Sequence, residues 1–102
     1  MVDLPVACSL GPEALKARRE NLLKGLRDRA EERHELSNGY GLRFSAHGDV
    51  LLSIARTIDA ERQCCRFLRF TVTVEPDAGA IILELTGPAG TREFLAAMFD
   101  ET

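Results

Sequence analysis

Two alternating apolar segments on either side of a tight turn constrain this fold more than any other feature. Residues 68–74 read LRFTVTV, in which apolar side chains alternate with arginine and threonine. After the segment PDAG at 76–79, the segment IILEL at 81–85 repeats the spacing of two. That period is typical of strands with one buried face, and Pro, Asp and Gly are typical turn residues. The sequence therefore predicts a β-hairpin in an antiparallel sheet.

A third strand is predicted at 40–46, where Tyr, Leu, Phe and Ala alternate with glycine, arginine and serine. The Asn38-Gly39 pair before it is a strong turn signal. Leu36, on the other side of that turn, is a candidate for a short partner strand. Residues 4–10 form an additional apolar segment, interpreted as a strand or an ordered extended arm.

Three segments have the spacing of amphipathic helices: 13–33, 50–65 and 89–100. Asp49 immediately precedes the second segment and is a candidate helix cap. The stripe predicted to face the core in that helix consists of Leu51, Ile54, Ala55, Ile58 and Cys65.

The order of these segments indicates the fold class. A chain of 102 residues, 45% hydrophobic and 28% charged, is expected to form a single domain over residues 1–102. The predicted fold is α+β: an open-faced sandwich with a small antiparallel sheet and helices on one face, with the ferredoxin-like plan as a possible variant.

Charge and hydropathy exclude several classes of partner. The net charge is −3, and basic residues between 16 and 33 are mixed with acidic ones, which is not typical of a nucleic-acid-binding surface. No apolar segment is long enough to span a membrane, and the N-terminal residues do not resemble a secretory signal. We therefore expect a cytoplasmic protein with reduced thiols, no nucleic-acid partner and no membrane partner.

Cys64 and Cys65 are adjacent in the segment ERQCCRFLRF, and Cys8 is the third cysteine of the chain. Adjacent thiols can bind one soft metal ion, form a strained disulfide, or pack as small apolar side chains. Cys65 lies on the apolar stripe, which predicts that it points toward the core. Glu61, one helical turn earlier, is usually a solvated residue type, but it can also hydrogen-bond a thiol, accept its proton or act as an oxygen ligand.

Soft ions such as Hg(II), As(III), Cu(I) and Pb(II) favour thiolate sites of low coordination number. Structural zinc sites usually have four ligands and a C-x₂₋₄-C spacing, which this sequence lacks. His34 and His47 are expected to be exposed surface residues, and so are Arg66 and Arg69.

Four segments together resemble a family of small uncharacterised bacterial proteins with an ERxCCxFxxF motif. They are ACSL at 7–10, GYGLRF at 39–44, ERQCCRFLRF at 61–70 and LELTGPAGTREFL at 83–95. Many relatives have proline after the second cysteine, where this chain has Arg66. The family is similar to small proteins associated with heavy-metal resistance. The resemblance implies a soft-metal role with Cys8, Cys64 and Cys65 as ligands and Glu61 in support.

Three functions remain open from the sequence. The first is a binding protein for a soft metal or metalloid ion, for sequestration or sensing, with Cys8, Cys64, Cys65 and Glu61 as the site. The second is a thiol-redox enzyme with Cys64 as nucleophile and Glu61 as base. The third is a non-catalytic interaction domain whose cysteines are buried in the core. A homodimer is compatible with each of them.

Overall fold

The structure is a computed structural model that describes residues 25–100, except for the side chains of Cys64 and Asp100. Residues 25–29 are helical. The elements that follow are β1 (Glu32–Leu36), β2 (Gly39–Phe44), α1 (Val50–Cys64), β3 (Arg69–Val74), β4 (Ile81–Thr86) and α2 (Thr91–Asp100).

The four strands form one antiparallel sheet in the order β1-β2-β4-β3. β2 and β3 both pair with β4, so they run parallel to each other with β4 between them. Together with α1 they form a split β–α–β unit, which is the central unit of ferredoxin-like folds. The ferredoxin-like plan places its remaining strand after the second helix, whereas β1 precedes the unit. The predicted α+β open-faced sandwich is confirmed.

One face of the sheet carries the core. Tyr40, Leu85 and Phe70 form one cross-strand row, and Leu42 and Leu83 belong to the next. The helices contribute buried side chains to the same cluster, and the rings of Tyr40 and Phe99 meet edge to face with centroids 5.7 Å apart. The fully buried apolar residues of this cluster are Leu42, Phe44, Ile54, Cys65, Leu83, Leu85, Leu95 and Phe99.

The C-terminal end predicted for the first helix is wrong. Residues 25–29 are helical, and Leu26 is buried, but Glu32–Leu36 forms β1. The residues before 25, including the segment 4–10, lie outside the described part of the chain. Glu31 shows why the helix does not continue, because its N–H donates to the carbonyl of Arg43 at 2.7 Å. Pairing with β2 thus satisfies backbone groups that a longer helix would satisfy internally.

The buried face of α1 is rotated from the predicted stripe. Val50, Ile54, Thr57 and Glu61 are buried, whereas Leu51 is 44% exposed. Ala55, another member of the predicted stripe, is exposed as well.

Asp49 lies at the N-cap position of α1 but makes no capping hydrogen bond with its side chain. Its carboxylate instead accepts a hydrogen bond from Arg29 Nη2 at 3.1 Å, while Arg29 Nη1 donates to Ser53 Oγ at 2.8 Å. The hydrogen bond from Arg29 is the main reason that the pKa of Asp49 is lowered from its ordinary value. Arg29 therefore joins the helical residues 25–29 to the first turn of α1.

The β3–β4 turn uses an unfavourable backbone conformation. Asp77 and Ala78 have φ angles of 63° and 57°, and the N–H of Gly79 donates to the carbonyl of Pro76 at 3.1 Å. Positive φ at both central residues is typical of the hairpin turns that match strand twist. An alanine in this region costs about 1–2 kcal/mol because its Cβ crowds the carbonyl oxygen.

We expect Ala78→Gly to raise the free energy of unfolding by about 1 kcal/mol, because glycine adopts positive φ without that steric cost. Urea denaturation followed by circular dichroism measures the change. Ala80→Gly is the control, since Ala80 does not have a positive φ, and it should be neutral or destabilising. Equal effects of the two substitutions would contradict the explanation.

Gly39 is required by a close backbone approach. A Cβ at this position would lie 1.8 Å from the carbonyl oxygen of Leu85. A Cβ at Gly41, on the same strand, would meet only Glu84 Cγ, at 3.9 Å. β4 therefore approaches β2 closely at its Gly39 end.

We expect Gly39→Ala to destabilise the protein by about 3 kcal/mol or more, since neither backbone can move without disturbing the sheet. Gly41→Ala is the matched control and should change stability by less than about 1 kcal/mol. Thermal and urea denaturation of both variants provide the measurement. A stable Gly39→Ala variant would mean that β2 and β4 are not in this register.

Candidate functional site

The C-terminal end of α1 holds the candidate site. The helix ends at Cys64, and Cys65 follows as the C-cap with φ −106° and ψ 73°. The N–H of Cys65 still donates to the carbonyl of Glu61 at 2.6 Å. The chain thus leaves the helical conformation between the two adjacent cysteines.

Glu61 and Cys65 form a buried pair. The two residues are one helical turn apart, and Cys65 Sγ donates to Glu61 Oε1 at 3.7 Å. Both are 0% exposed. The prediction that Cys65 faces the core is confirmed. Of the states that the sequence left open for Glu61, the structure shows the residue buried and hydrogen-bonded to a thiol rather than solvated. A carboxylate inside an apolar cluster is costly unless hydrogen bonds or charges compensate it.

The segment after Cys65 is held firmly in place. The N–H of Leu68 donates to the carbonyl of Cys65 at 3.1 Å, closing a turn. Phe67 is buried, and its ring contacts that of Phe94 edge to face with centroids 5.2 Å apart. α2 therefore fixes the loop that leads from the site into β3.

Gly87 connects this loop to two others. A Cβ at Gly87 would lie 3.1 Å from the carbonyl oxygen of Phe67 and 2.5 Å from Thr91 Oγ1. Gly87 also exchanges hydrogen bonds with Asn38, since its N–H donates to the Asn38 carbonyl at 3.2 Å and its own carbonyl accepts from Asn38 Nδ2 at 3.1 Å. The β1–β2 turn, the loop after Cys65 and the start of α2 consequently meet at one end of the sheet.

Two buried threonines lie in α1 and at the start of α2, and neither was predicted from the sequence as a site residue. Thr57, one turn before Glu61, donates its hydroxyl to the carbonyl of Ser53 at 2.9 Å. Thr91 is fully buried at the start of α2 and donates to the carbonyl of Pro88 at 2.7 Å. The burial of Thr57 could have been inferred from its spacing. Thr57, Glu61 and Cys65 follow one another at four-residue intervals, which places all three on one helix face.

The structure describes two of the four predicted site residues, Glu61 and Cys65. Cys8 and the side chain of Cys64 lie outside the described residues. His34 and His47 are exposed, as predicted, and so are Arg66 and Arg69. Among the side chains that the structure describes, which exclude those of Cys64 and Asp100, no three of His, Cys, Asp or Glu are grouped to hold a metal ion. The three-thiolate site therefore stays a prediction.

No protein-family model, curated protein or solved structure matches this chain. The resemblance to the ERxCCxFxxF family accordingly stays a prediction. Among the described helices, none has the length and apolar character needed to cross a membrane.

We expect the Cys65 thiol to react slowly with iodoacetamide in the native protein and rapidly in urea, because it is fully buried. Alkylation under reducing conditions, followed by tandem mass spectrometry that fragments the peptide between the adjacent Cys64 and Cys65, measures each cysteine separately. Cys65→Ala leaves only the Cys64 label on that peptide and so identifies the fragments that report on Cys65. Native labelling of Cys65 at the rate seen in urea would contradict its burial.

Proposed function

We propose that this protein binds a thiophilic metal or metalloid ion of the Hg, As, Pb or Cu class through Cys64 and Cys65, with Cys8 as a third ligand. Glu61 supports the site as proton acceptor or weak oxygen ligand. The role would be sequestration or sensing in heavy-metal resistance, in the cytoplasm. The observation that carries the proposal is the fully buried Glu61 in contact with the Cys65 thiol.

A buried carboxylate beside a thiol favours proton-coupled ligand binding. Thiols must lose their protons when they bind a metal ion, and a carboxylate within contact distance can accept one of them. Titratable groups placed in costly surroundings are concentrated at functional sites. Glu61 is a titratable side chain that is fully buried and in contact with a thiol at the end of α1.

The distance within the pair is compatible with a shared ion. Thiolate sulfur binds zinc-sized ions at about 2.3 Å and carboxylate oxygen at about 2.1 Å. At tetrahedral to trigonal angles, two such ligand atoms lie about 3.6–3.8 Å apart. Cys65 Sγ and Glu61 Oε1 are 3.7 Å apart, so an ion could join them with little rearrangement.

The position at the end of α1 favours a bound cation over a bare thiolate. The C-terminal end of a helix carries partial negative charge, which attracts cations and repels anions. Reactive cysteines are typically found at helix N-termini, where the opposite charge stabilises the thiolate. Cys64 and Cys65 are at the C-terminal end. The alternative of a thiol-redox enzyme with Cys64 as nucleophile is therefore less well supported.

One observation favours a second candidate function, a non-catalytic interaction domain with buried cysteines. Cys65 is 0% exposed and belongs to the main apolar cluster. In that case its thiol contributes packing, and Glu61 serves the stability of the fold. The two candidates differ in whether the cysteines bind an ion.

We expect the reduced protein to bind one equivalent of Hg(II) or As(III) more tightly than Zn(II), with affinity rising with pH because binding releases thiol protons. Cys64→Ser and Cys65→Ser should each lose most of the affinity, and Cys8→Ser part of it. An anaerobic competition titration without added thiol, followed by thiolate–metal absorbance, measures these affinities.

Glu61→Gln should change the pH dependence of binding more than the number of ions bound, because it removes the proton acceptor and keeps the thiols. Glu93→Gln is the matched control, since Glu93 is an exposed helical glutamate in α2. Circular dichroism establishes that each variant is folded. Equal binding by the wild type and the Cys64→Ser/Cys65→Ser double variant would end the metal proposal and favour the interaction domain.

A further inference from the structure

The two edge strands of the sheet differ in how their side chains protect them against pairing with another chain. β1 reads ERHEL, and its four charged or titratable side chains are exposed. Arg33 lies over the rings of Tyr40 and Phe99, at 5.5 and 5.6 Å, and so covers the core at that edge. Charged side chains on an edge strand are a common protection against pairing with another chain.

β3, at the opposite edge, has no such protection. Between Phe70 and Val74 it contains no charged residue and no proline. Val72 and Val74 lie on the same face of the sheet as the core, yet they are 37% and 54% exposed. Among the described strands, β3 pairs only with β4. A flat, uncharged edge strand of high β-propensity is a template for a further strand.

The hydrogen-bond pattern shows which backbone groups face the open edge. The N–H of Glu75 donates to the carbonyl of Ala80, so Glu75 directs its backbone groups toward the β4 side. In an antiparallel pair, successive residues alternate in this direction. Thr71 and Thr73 therefore face β4, and the N–H and C=O groups of Phe70, Val72 and Val74 point outward.

The sequence of this edge is complementary to itself. If two copies of β3 pair antiparallel about a two-fold axis at Val72, Phe70 lies opposite Val74 and Thr71 lies opposite Thr73. Arg69 of each copy then lies opposite Glu75 of the other. Aromatic with β-branched, threonine with threonine, and opposite charges are all stabilising cross-strand pairs. All outward-facing groups of the three central residues also find partners in this register.

We propose that β3 binds β3 of a second copy of this chain, antiparallel and centred on Val72. The two four-stranded sheets then form one continuous sheet across a two-fold axis. Val72 and Val74 of both copies come together on the helix side and lose their exposure to water. This inference does not depend on metal binding, because the site at the end of α1 contributes no residue to the interface.

Sedimentation velocity of the full chain, with reducing agent present to exclude intermolecular disulfides, should show a species of twice the chain mass of 11.3 kDa. Val72→Lys places two like charges directly opposite each other and should weaken dimerisation about tenfold or more. His34→Lys is the matched control on the exposed β1 edge and should leave dimerisation unchanged. A monomer at all accessible concentrations would overturn the proposal, and so would a dimer that Val72→Lys does not weaken.

Exchanging the charges of Arg69 and Glu75 tests the proposed register of the β3–β3 pair. Arg69→Glu and Glu75→Arg should each weaken the dimer, since each creates a like-charge pair, and the double variant should restore it. Failure of the double variant to restore it would exclude this register.

Amide hydrogen exchange measured by NMR shows whether a second copy of the chain or another segment pairs with the outer edge of β3. The amides of Phe70, Val72 and Val74 should become protected as the dimer forms, whereas those of Thr71 and Thr73 should be protected at every concentration. Protection of Phe70, Val72 and Val74 in a dilute monomer would mean that another segment of the same chain covers this edge, and would overturn the proposal.

Discussion

The position of β4 between β2 and β3 determines most of this structure. Leu83, at the centre of β4, lies between Leu42 and Val72, and both Leu83 and Leu42 are completely buried. Because β2 and β3 are parallel and separated by one strand, the chain must cross the sheet between them, and α1 makes that crossing. The C-terminal end of α1 is thereby placed beside the start of β3, where the loop after Cys65 packs against α2.

The buried Glu61 is the least expected consequence of that crossing. The face of α1 that contacts the sheet contains Ile54, Thr57 and Glu61, followed by Cys65 at the C-cap. An aliphatic residue in place of Glu61 would avoid the cost of removing a carboxylate from water. Under the proposed function, Glu61 would accept the proton that the Cys65 thiol loses when the site binds a cation. The surrounding loops, fixed through Gly87 and Asn38, keep the pair in place.

Among the described residues, charged side chains line one edge of the sheet, and no strand pairs with the outer side of the other. At β1, Arg33 covers aromatic rings of the core, and Arg92 of α2 is 3.7 Å from Glu35. At β3 the residues in the same two cross-strand rows are Val72 and Phe70. In the proposed dimer the two edges of the sheet have separate roles. β1 stays in contact with water, and β3 forms the dimer interface.

The sequence by itself determined the hairpin, the three-strand alternation and the class of fold, because these depend on local periodicity and on turn residues. It also indicated that Cys65 faces the core. Only the tertiary structure decided that all of residues 32–36 form a strand, because each of them pairs with a residue of β2 across the turn, as Glu32 does with Arg43. It likewise decided that Glu61 is buried and that Leu51 is exposed. Helical periodicity defines a stripe only to within one residue's rotation, and the contact with the sheet chooses which face is buried.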